Sequence, residues 1–253
     1  MHRPRIIPTL LLRNGGLVKT KKFKKPEYVG DPINAIRIFN EKEVDELIVL
    51  DIDASKNTEP PNFKLIKEFA SECFMPLCYG GGVRDLDTAK KLFNLGVEKL
   101  SFQSLVIEEY KTVQDIALKF GSQSIVVSLD VRKDLFGKYR VYDAKKKRNI
   151  KISLEDYLQI VIESGAGEVH LNAVDRDGTL SGPDINLIKH VAPMVDIPLI
   201  YSGGLESVQS IKRVLGEGVD AVGVGAFFVF EGVHRAVLIT YLSKKQMEEI
   251  IHG

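Results

Sequence analysis

No apolar stretch in this sequence reaches the ~18 residues expected of a membrane span. The opening MHRPRIIPTLLLRNGG has too short an apolar region for a secretory signal. The expectation is a cytoplasmic chain with no membrane contact. An excess of one charge sign is lacking too: 35 Lys and Arg stand against 34 Asp and Glu, a net charge of +1. No global field then draws nucleic acid or an acidic surface, and any anion binding has to be local. Cysteine is sparse. Cys73 and Cys78 are the only two, and in a reducing compartment they read as separate thiols rather than a bridge. With no C-x-x-C pair and five scattered histidines, neither a zinc site nor any other metal or cofactor is expected. What remains is 44% apolar and 27% charged over 253 residues, an ordinary globule rather than a disordered chain.

What the sequence does have is an internal repeat. PLCYGGGVRDLDTAKKLFNLGVEKL, residues 76–100, is echoed by PLIYSGGLESVQSIKRVLGEGVDAV, residues 198–222, at a constant offset of 122. Pro76, Tyr79, Gly81, Gly82, Lys90, Gly96 and Val97 recur as Pro198, Tyr201, Gly203, Gly204, Lys212, Gly218 and Val219. Nearer the start of each half the offset is 119: RIIPTLLLRN, residues 5–14, matches SIVVSLDVRK, residues 124–133, with Leu11 opposite Asp130. A loop-length difference accounts for the change. Each half carries four short apolar runs, beginning near Arg5, Glu46, Pro76, Glu98, Ser124, Glu168, Pro198 and Asp220. Between them lie amphipathic helical stretches with their own start signals, such as Asp31 with Pro32, and Ser153 with the acidic Asp156. Eight β-α units predict a single (β/α)8 TIM barrel over residues 1–253, built from half-barrels of about 1–122 and 123–253. A doubly wound open sheet is the alternative, but it gives no reason for two equal halves.

Barrel active sites lie at the C-terminal ends of the strands, which selects the residues that finish each run. These are Leu11, Asp51, Gly81, Gln103 with Ser104, Asp130, Asn172, Ser202 with Gly203, and Gly225 with Ala226. The glycine loops, Gly80 to Gly82 and Gly203 with Gly204, let backbone approach a ligand and suit phosphate. Their duplication implies two anion sites on opposite sides of one mouth, the first with the Ser104 hydroxyl as an added donor. Asp130 ends the run IVVSL, where apolar surroundings raise a carboxyl pKa and favour general acid or base work; a structural carboxylate holding a loop N–H is the plainer reading. Asp51 and Asp177 are weaker candidates, and DRDGT, residues 175–179 with Gly178, is rich in turn formers. The run KTKKFKK, residues 19–25, reads as a solvated loop or as a flexible lysine flap over an anionic ligand, with Lys19 nearest the mouth. At the other end, Arg5, Glu46, Lys99 and Glu168 each begin a strand. Two cations and two anions there permit a salt-bridged ring that closes by mutual pairing and is capable of opening.

These residues resemble the cyclase subunit of imidazole glycerol phosphate synthase, the HisF family, over nearly the whole chain. The likeness is carried by RII, GDP, VDELIVLDIDAS, GGGV, FGSQSIVVSLD, GAGEV, DRDGT followed by SG, and SGG. The resemblance implies a two-half barrel that takes ammonia from a glutaminase subunit docked at its base. That ammonia splits and cyclises a bisphosphorylated ribulosyl aminoimidazole carboxamide. It also implies roles: Asp130 as the second catalytic aspartate, Lys19 as the loop lysine, the two glycine sites as phosphate anchors, and Arg5, Glu46, Lys99 and Glu168 as the ammonia gate. Glu98 stands for the family's aspartate at the partner interface, and Gln103 and Ser104 for its Asn and Thr. Leu11 departs, because it replaces the family's other essential acid. With NGGLVKT, EYVGDPINAIRIFNEKEVDEL and HRAVLITY, this departure is similar to a diverged branch associated with amidation of bacterial surface sugars. In that branch the barrel works beside a glutaminase and a sugar amidotransferase. Three readings follow: an ammonia-dependent lyase or cyclase of histidine biosynthesis, a conduit that activates a glutaminase, and a phosphosugar isomerase.

Overall fold

The computed structural model describes residues 3–57, 59–232 and 234–252. Eight parallel strands form its core: β1 (Arg5–Arg13), β2 (Leu47–Asp51), β3 (Leu77–Gly80), β4 (Lys99–Phe102), β5 (Ile125–Lys133), β6 (Glu168–Ala173), β7 (Leu199–Ser202) and β8 (Ala221–Val224). Each strand pairs with its neighbours in chain order, and β8 pairs with β1 through Arg5↔Ala221, so the sheet closes on itself. This is a (β/α)8 barrel, not an open sheet. Every strand begins within a residue of where its apolar run begins, because the buried face of a parallel strand and the charge that starts it are both written locally.

Eight helices form the outer ring: α1 (Pro32–Glu41), α2 (Phe63–Glu72), α3 (Leu86–Asn94), α4 (Ser104–Phe120), α5 (Leu154–Glu163), α6 (Ile185–Val191), α7 (Val208–Leu215) and α8 (Lys244–His252). They pack by one apolar stripe each, such as Ala35, Ile36 and Phe39 of α1 or Val208, Ile211 and Val214 of α7. A fully buried side chain of this kind contributes ~1.5–3 kcal/mol. The helix starts repeat with the halves. Asp31 and Ser153 cap α1 and α5, Asn62 and Asp184 cap α2 and α6, and Asp85 and Ser207 cap α3 and α7, each side chain accepting from the third N–H. All three pairs are 122 residues apart.

The long strands β1 and β5 run past the rim, and each carries an antiparallel hairpin. The first pairs Gly16–Lys21 with β1 and with Lys24–Gly30; the second pairs Tyr139–Asp143 with β5. The segment of residues 19–25 is therefore strand and turn of a hairpin rather than irregular loop. Lys19 and Thr20 are buried, while Lys21, Lys22, Lys24 and Lys25 face solvent. Asn14 (φ 49°) and Gly15 (φ 77°) make the turn, the Asn-Gly pair that favours a tight hairpin. Cys73 and Cys78 are separate free thiols. Among the described residues, no helix is long and apolar enough to cross a membrane.

Candidate active site

Side chains alternate along a strand, so every second residue of each strand enters the barrel interior, and the interior is layered from base to mouth. At the base, Lys99 Nζ lies 2.9 Å from Glu46 Oε2 and 3.1 Å from Glu168 Oε1, and Arg5 Nη1 lies 3.1 Å from Glu168 Oε1 while also pairing with Glu46. The four residues form a closed, charge-balanced ring. Glu46 is 2% exposed, so its charge rests on these partners. Burial opposes the Arg5 charge, yet Glu168 and Glu46 outweigh it and raise its pKa. Glu98 is exposed at the base, one residue before Lys99. Above the ring comes an apolar collar of Ile7, Ile48, Cys78, Val126, Ile200 and Ala221. Above that, Ser101 bonds Ser128 at 2.9 Å and His170 bonds Ser202 at 2.7 Å.

The mouth is a cavity of about 690 Å³ that reaches down to this polar tier and is lined by Lys19, Asp51, Gly81, Gln103, Ser104, Asp130, Asn172, Asp177, Gly178, Ser202, Gly203, Gly204, Gly225 and Ala226. Gly82 lies just behind Gly81 on the same loop. Eight Lys and Arg side chains line the cavity against four Asp, so a nearly neutral chain concentrates positive charge at one opening.

Gly81 (φ 123°) and Gly203 (φ 116°) are glycine for the same reason in both halves. A Cβ on Gly81 would lie 2.5 Å from Asp51 O, and one on Gly203 would lie 2.7 Å from Ala173 O. Beside each glycine loop stands a chain start without a side-chain cap: Gln103 before α4, and Gly225 before the 3₁₀ turn Ala226–Phe228. Among the described residues, α1 to α3 and α5 to α7 are closed by side-chain caps and Ser243 accepts from Gln246 N at the start of α8, whereas Gln103 and Gly225, also 122 residues apart, have no side-chain cap and line the cavity. The Gln103 side chain is drawn away to Tyr142 O at 2.9 Å.

Asp130 is 7% exposed, and burial, helped by the nearby charge of Asp177, pushes its carboxyl up to about 7 while a hydrogen bond with Asn172 opposes the rise. A carboxyl titrating there exchanges protons readily at neutral pH. Lys19 is also buried; desolvation lowers it to about 8 against the pull of Asp177, and its Nζ donates to Thr9 O. Asp177 is raised by burial, countered by Lys19, by the Thr20 hydroxyl at 3.1 Å and by the Phe23 N–H. It therefore locks the first hairpin down over the mouth as well as lying between the two proton-bearing groups. Asp51 serves its own loop: Oδ1 accepts from Asp53 N at 3.1 Å and Ala54 N at 3.0 Å. The plainer reading weighed for Asp130 thus describes Asp51.

Leu11 lines the cavity from β1 and is paired in register with Leu50 of β2. In the other half the corresponding pair is Asp130 with Asn172, also in register. The difference between halves is two residues wide: a hydrogen-bonded polar pair on one side and two leucines on the other. Sequence reading singled out Leu11 but passed over Leu50, which the offset of 122 from Asn172 identifies.

The model for the histidine biosynthesis protein family matches residues 5–234. The chain belongs to this family. A protein of Pseudomonas aeruginosa provisionally named imidazole glycerol phosphate synthase subunit hisF2 is 51% identical over 242 residues, 95% of this chain and 96% of its own length. A similarly provisional HisF subunit of Leptospira interrogans is 44% identical over the full length of both chains. The imidazole glycerol phosphate synthase subunit HisF of Streptococcus mutans is 34% identical over all of this chain and 98% of its own. The histidine biosynthesis family, and within it the HisF-like subunits, is thus where this barrel sits.

Proposed function

We propose that this chain is the ammonia-accepting barrel of a glutamine amidotransferase complex. In this reading a glutaminase subunit docks on the base, around Glu98, and ammonia enters through the Arg5–Glu46–Lys99–Glu168 ring. The observation that carries it is that ring. Barrel interiors are ordinarily filled with apolar side chains, and four balanced charges across the axis stay closed by pairing yet part when one partner is drawn away. At the mouth, the paired glycine loops with their uncapped neighbours, Gln103 with Ser104 and Gly225 with Ala226, suit the two ends of a bisphosphorylated substrate.

The family reaction forms imidazole glycerol phosphate, and here its proton transfers fall to Asp130 with Lys19 nearby. Leu11 neither donates nor accepts a proton, so this chain's own cyclase turnover is weak. The Leu11–Leu50 pair favours a second reading, in which ammonia is passed on to a separate sugar amidotransferase and the mouth holds a phosphate-bearing ligand chiefly as a signal. The common part is tested by adding the chain to a glutaminase subunit and measuring glutamine hydrolysis. Hydrolysis rises with the native chain and falls back with Arg5→Ala or Lys99→Ala. A glutaminase that neither binds nor responds would remove both readings.

A further inference from the structure

Two lysine-rich turns stand at the rim of the mouth, one from each hairpin. In the first hairpin Lys21 pairs with Lys24, so Lys22 and Phe23 form a two-residue turn, both with left-handed backbone (φ 53° and 58°). Such a turn favours Asn-Gly, because a larger side chain crowds the backbone there. Lysine and phenylalanine in this place are strained, and strain of this kind persists where the side chains are in use. Lys25 (φ 50°) shares the conformation, as does Lys147 (φ 53°). Lys147 belongs to the turn of residues 144–147, which joins Tyr139–Asp143 to its antiparallel partner Arg148–Asn149. The two hairpins touch through their rings: Phe23 and Tyr142 lie 6.2 Å apart, centroid to centroid.

Phe23 and Tyr142 both line the cavity, together with Lys24 and Lys25 of the first hairpin and Arg132, Lys145 and Lys147 of the second. Arg132 Cζ stands 4.4 Å over the centre of the Tyr142 ring, and its Nε donates to the neutral Asn149 Oδ1 at 2.6 Å. The carboxylates of the cavity are engaged elsewhere: Asp53 with Arg13 at 3.2 Å, Asp51 with its own loop, Asp177 with Thr20 and Lys19, and Asp130 with Asn172. Lys145 is held by Glu108 at 2.9 Å. Among the described residues, no carboxylate pairs with Lys24, Lys25, Arg132 or Lys147. A single solvated lysine needs no partner. Four cations along one concave wall, with two aromatic rings among them, repel one another unless an anion joins them.

We propose that this rim is a nucleoside diphosphate site, with the base against Phe23 and the Arg132–Tyr142 stack and the diphosphate among Lys24, Lys25 and Lys147. Aromatic rings and a stacked guanidinium accept the face of a planar base whatever its edges carry, and lysines meet phosphate as point charges. The rings lie in a cavity wall, which suits a small planar ligand better than an extended acidic chain. Two separated glycine loops suit two single phosphates; a base joined to a diphosphate is a different chemistry and calls on different residues. The site uses neither the charged ring at the base nor the passage of ammonia, so it goes beyond the reading above and does not depend on it.

The test is isothermal titration calorimetry of the full chain with ADP, UDP and inorganic pyrophosphate, at low salt and without divalent cations. Both nucleotides are expected to bind about tenfold more tightly than pyrophosphate, the size of one base stack, and to weaken as salt rises. Phe23→Leu removes that margin and leaves pyrophosphate binding unchanged. Lys24→Ala combined with Lys25→Ala, two exposed positions, weakens all three ligands. Nucleotides that do not bind, or bind no more tightly than pyrophosphate, overturn the proposal. So does nucleotide binding that the lysine variant leaves unchanged, which would put the diphosphate in the glycine loops instead. No glutaminase enters the titration, so its failure leaves the glutamine-hydrolysis result untouched, and a failed hydrolysis assay leaves this site standing.

Discussion

Rebuilding the acid that faces Asp130 takes two substitutions rather than one. Asp130 is held in register beside Asn172, which bonds its carboxylate, whereas Leu11 has only Leu50 on one side and Val18 on the other. Leu11→Asp alone places a carboxyl against apolar neighbours, where desolvation without a hydrogen bond keeps it protonated and costs about 1–3 kcal/mol of stability. Leu11→Asp with Leu50→Asn reproduces the pair of the other half, supplying the missing donor. A positioned general acid or base contributes ~10²–10⁴-fold, which is about 3–5 kcal/mol of barrier. The double variant should gain cyclase turnover in that range, and the single variant no more than its lower end. The assay uses free ammonium and the bisphosphate substrate, so that no glutaminase enters the result. Turnover by the native chain equal to that of a relative with both acids would refute the reasoning. So would a folded double variant that gains nothing.

The buried carboxyl of Asp130 gives a second expectation. Its folded pKa of about 7 lies above the ordinary 3.8, so between about pH 4 and 7 the folded chain keeps a proton that the unfolded chain has released. Its contribution to stability is full at acid pH and is lost as pH rises. Asp130→Asn should therefore match the native chain near pH 4 and exceed it above pH 7, by at most roughly 4 kcal/mol; parallel urea-stability profiles across that range would contradict the burial argument. Gly178→Ala should open the first hairpin, because its φ is 65° and its Cβ would meet Thr20 O at 1.9 Å; faster tryptic cleavage within residues 21–25 with little change in Tm is the expected signature, and unchanged cleavage would count against it. Arg5→Ala should destabilise the chain by about 2–3 kcal/mol in urea titration. This is somewhat less than a fully buried pair, because the Arg5 side chain is about a quarter exposed and Lys99 still holds Glu46; a loss below about 0.5 kcal/mol would mean the ring is solvated.

Much of the barrel was legible because its determinants are local. Arg5, Glu46, Lys99 and Glu168 stood out as charges at the heads of apolar runs, and the caps Asp31 and Ser153 were readable in place. The hairpin after β1 was not legible as strand because lysines dominate residues 19–25, and charge masked a continuous run in which Leu17, Val18, Lys19 and Thr20 are all buried. Asn14–Gly15 was the signal that would have exposed it. His170 escaped because it lies within an otherwise apolar strand, and a lone histidine there carries no local mark of what it bonds.

The two halves also separate what the fold demands from what the chemistry demands, within one chain. Positions that repeat are those with a backbone reason: three pairs of helix caps, and Gly81 with Gly203, each of which would drive a Cβ into the carbonyl of the preceding strand. Positions that differ are interior side chains whose replacement leaves the backbone unmoved: Leu11 against Asp130, Leu50 against Asn172, Ile48 against His170. Two of these exchanges put the polar member on β6, and the third puts it on the adjacent β5. The polar members of these pairs, Asp130, Asn172 and His170, are thus gathered on two neighbouring strands, with leucine and isoleucine at the matching positions of the other half. The mouth is lined by glycine loops from both halves, but the hydrogen-bonded carboxyl–amide pair of Asp130 and Asn172 has only Leu11 and Leu50 at the matching positions. That asymmetry is why a variant must restore a pair on β1 and β2, rather than a single residue, to make the halves act on a substrate from both sides.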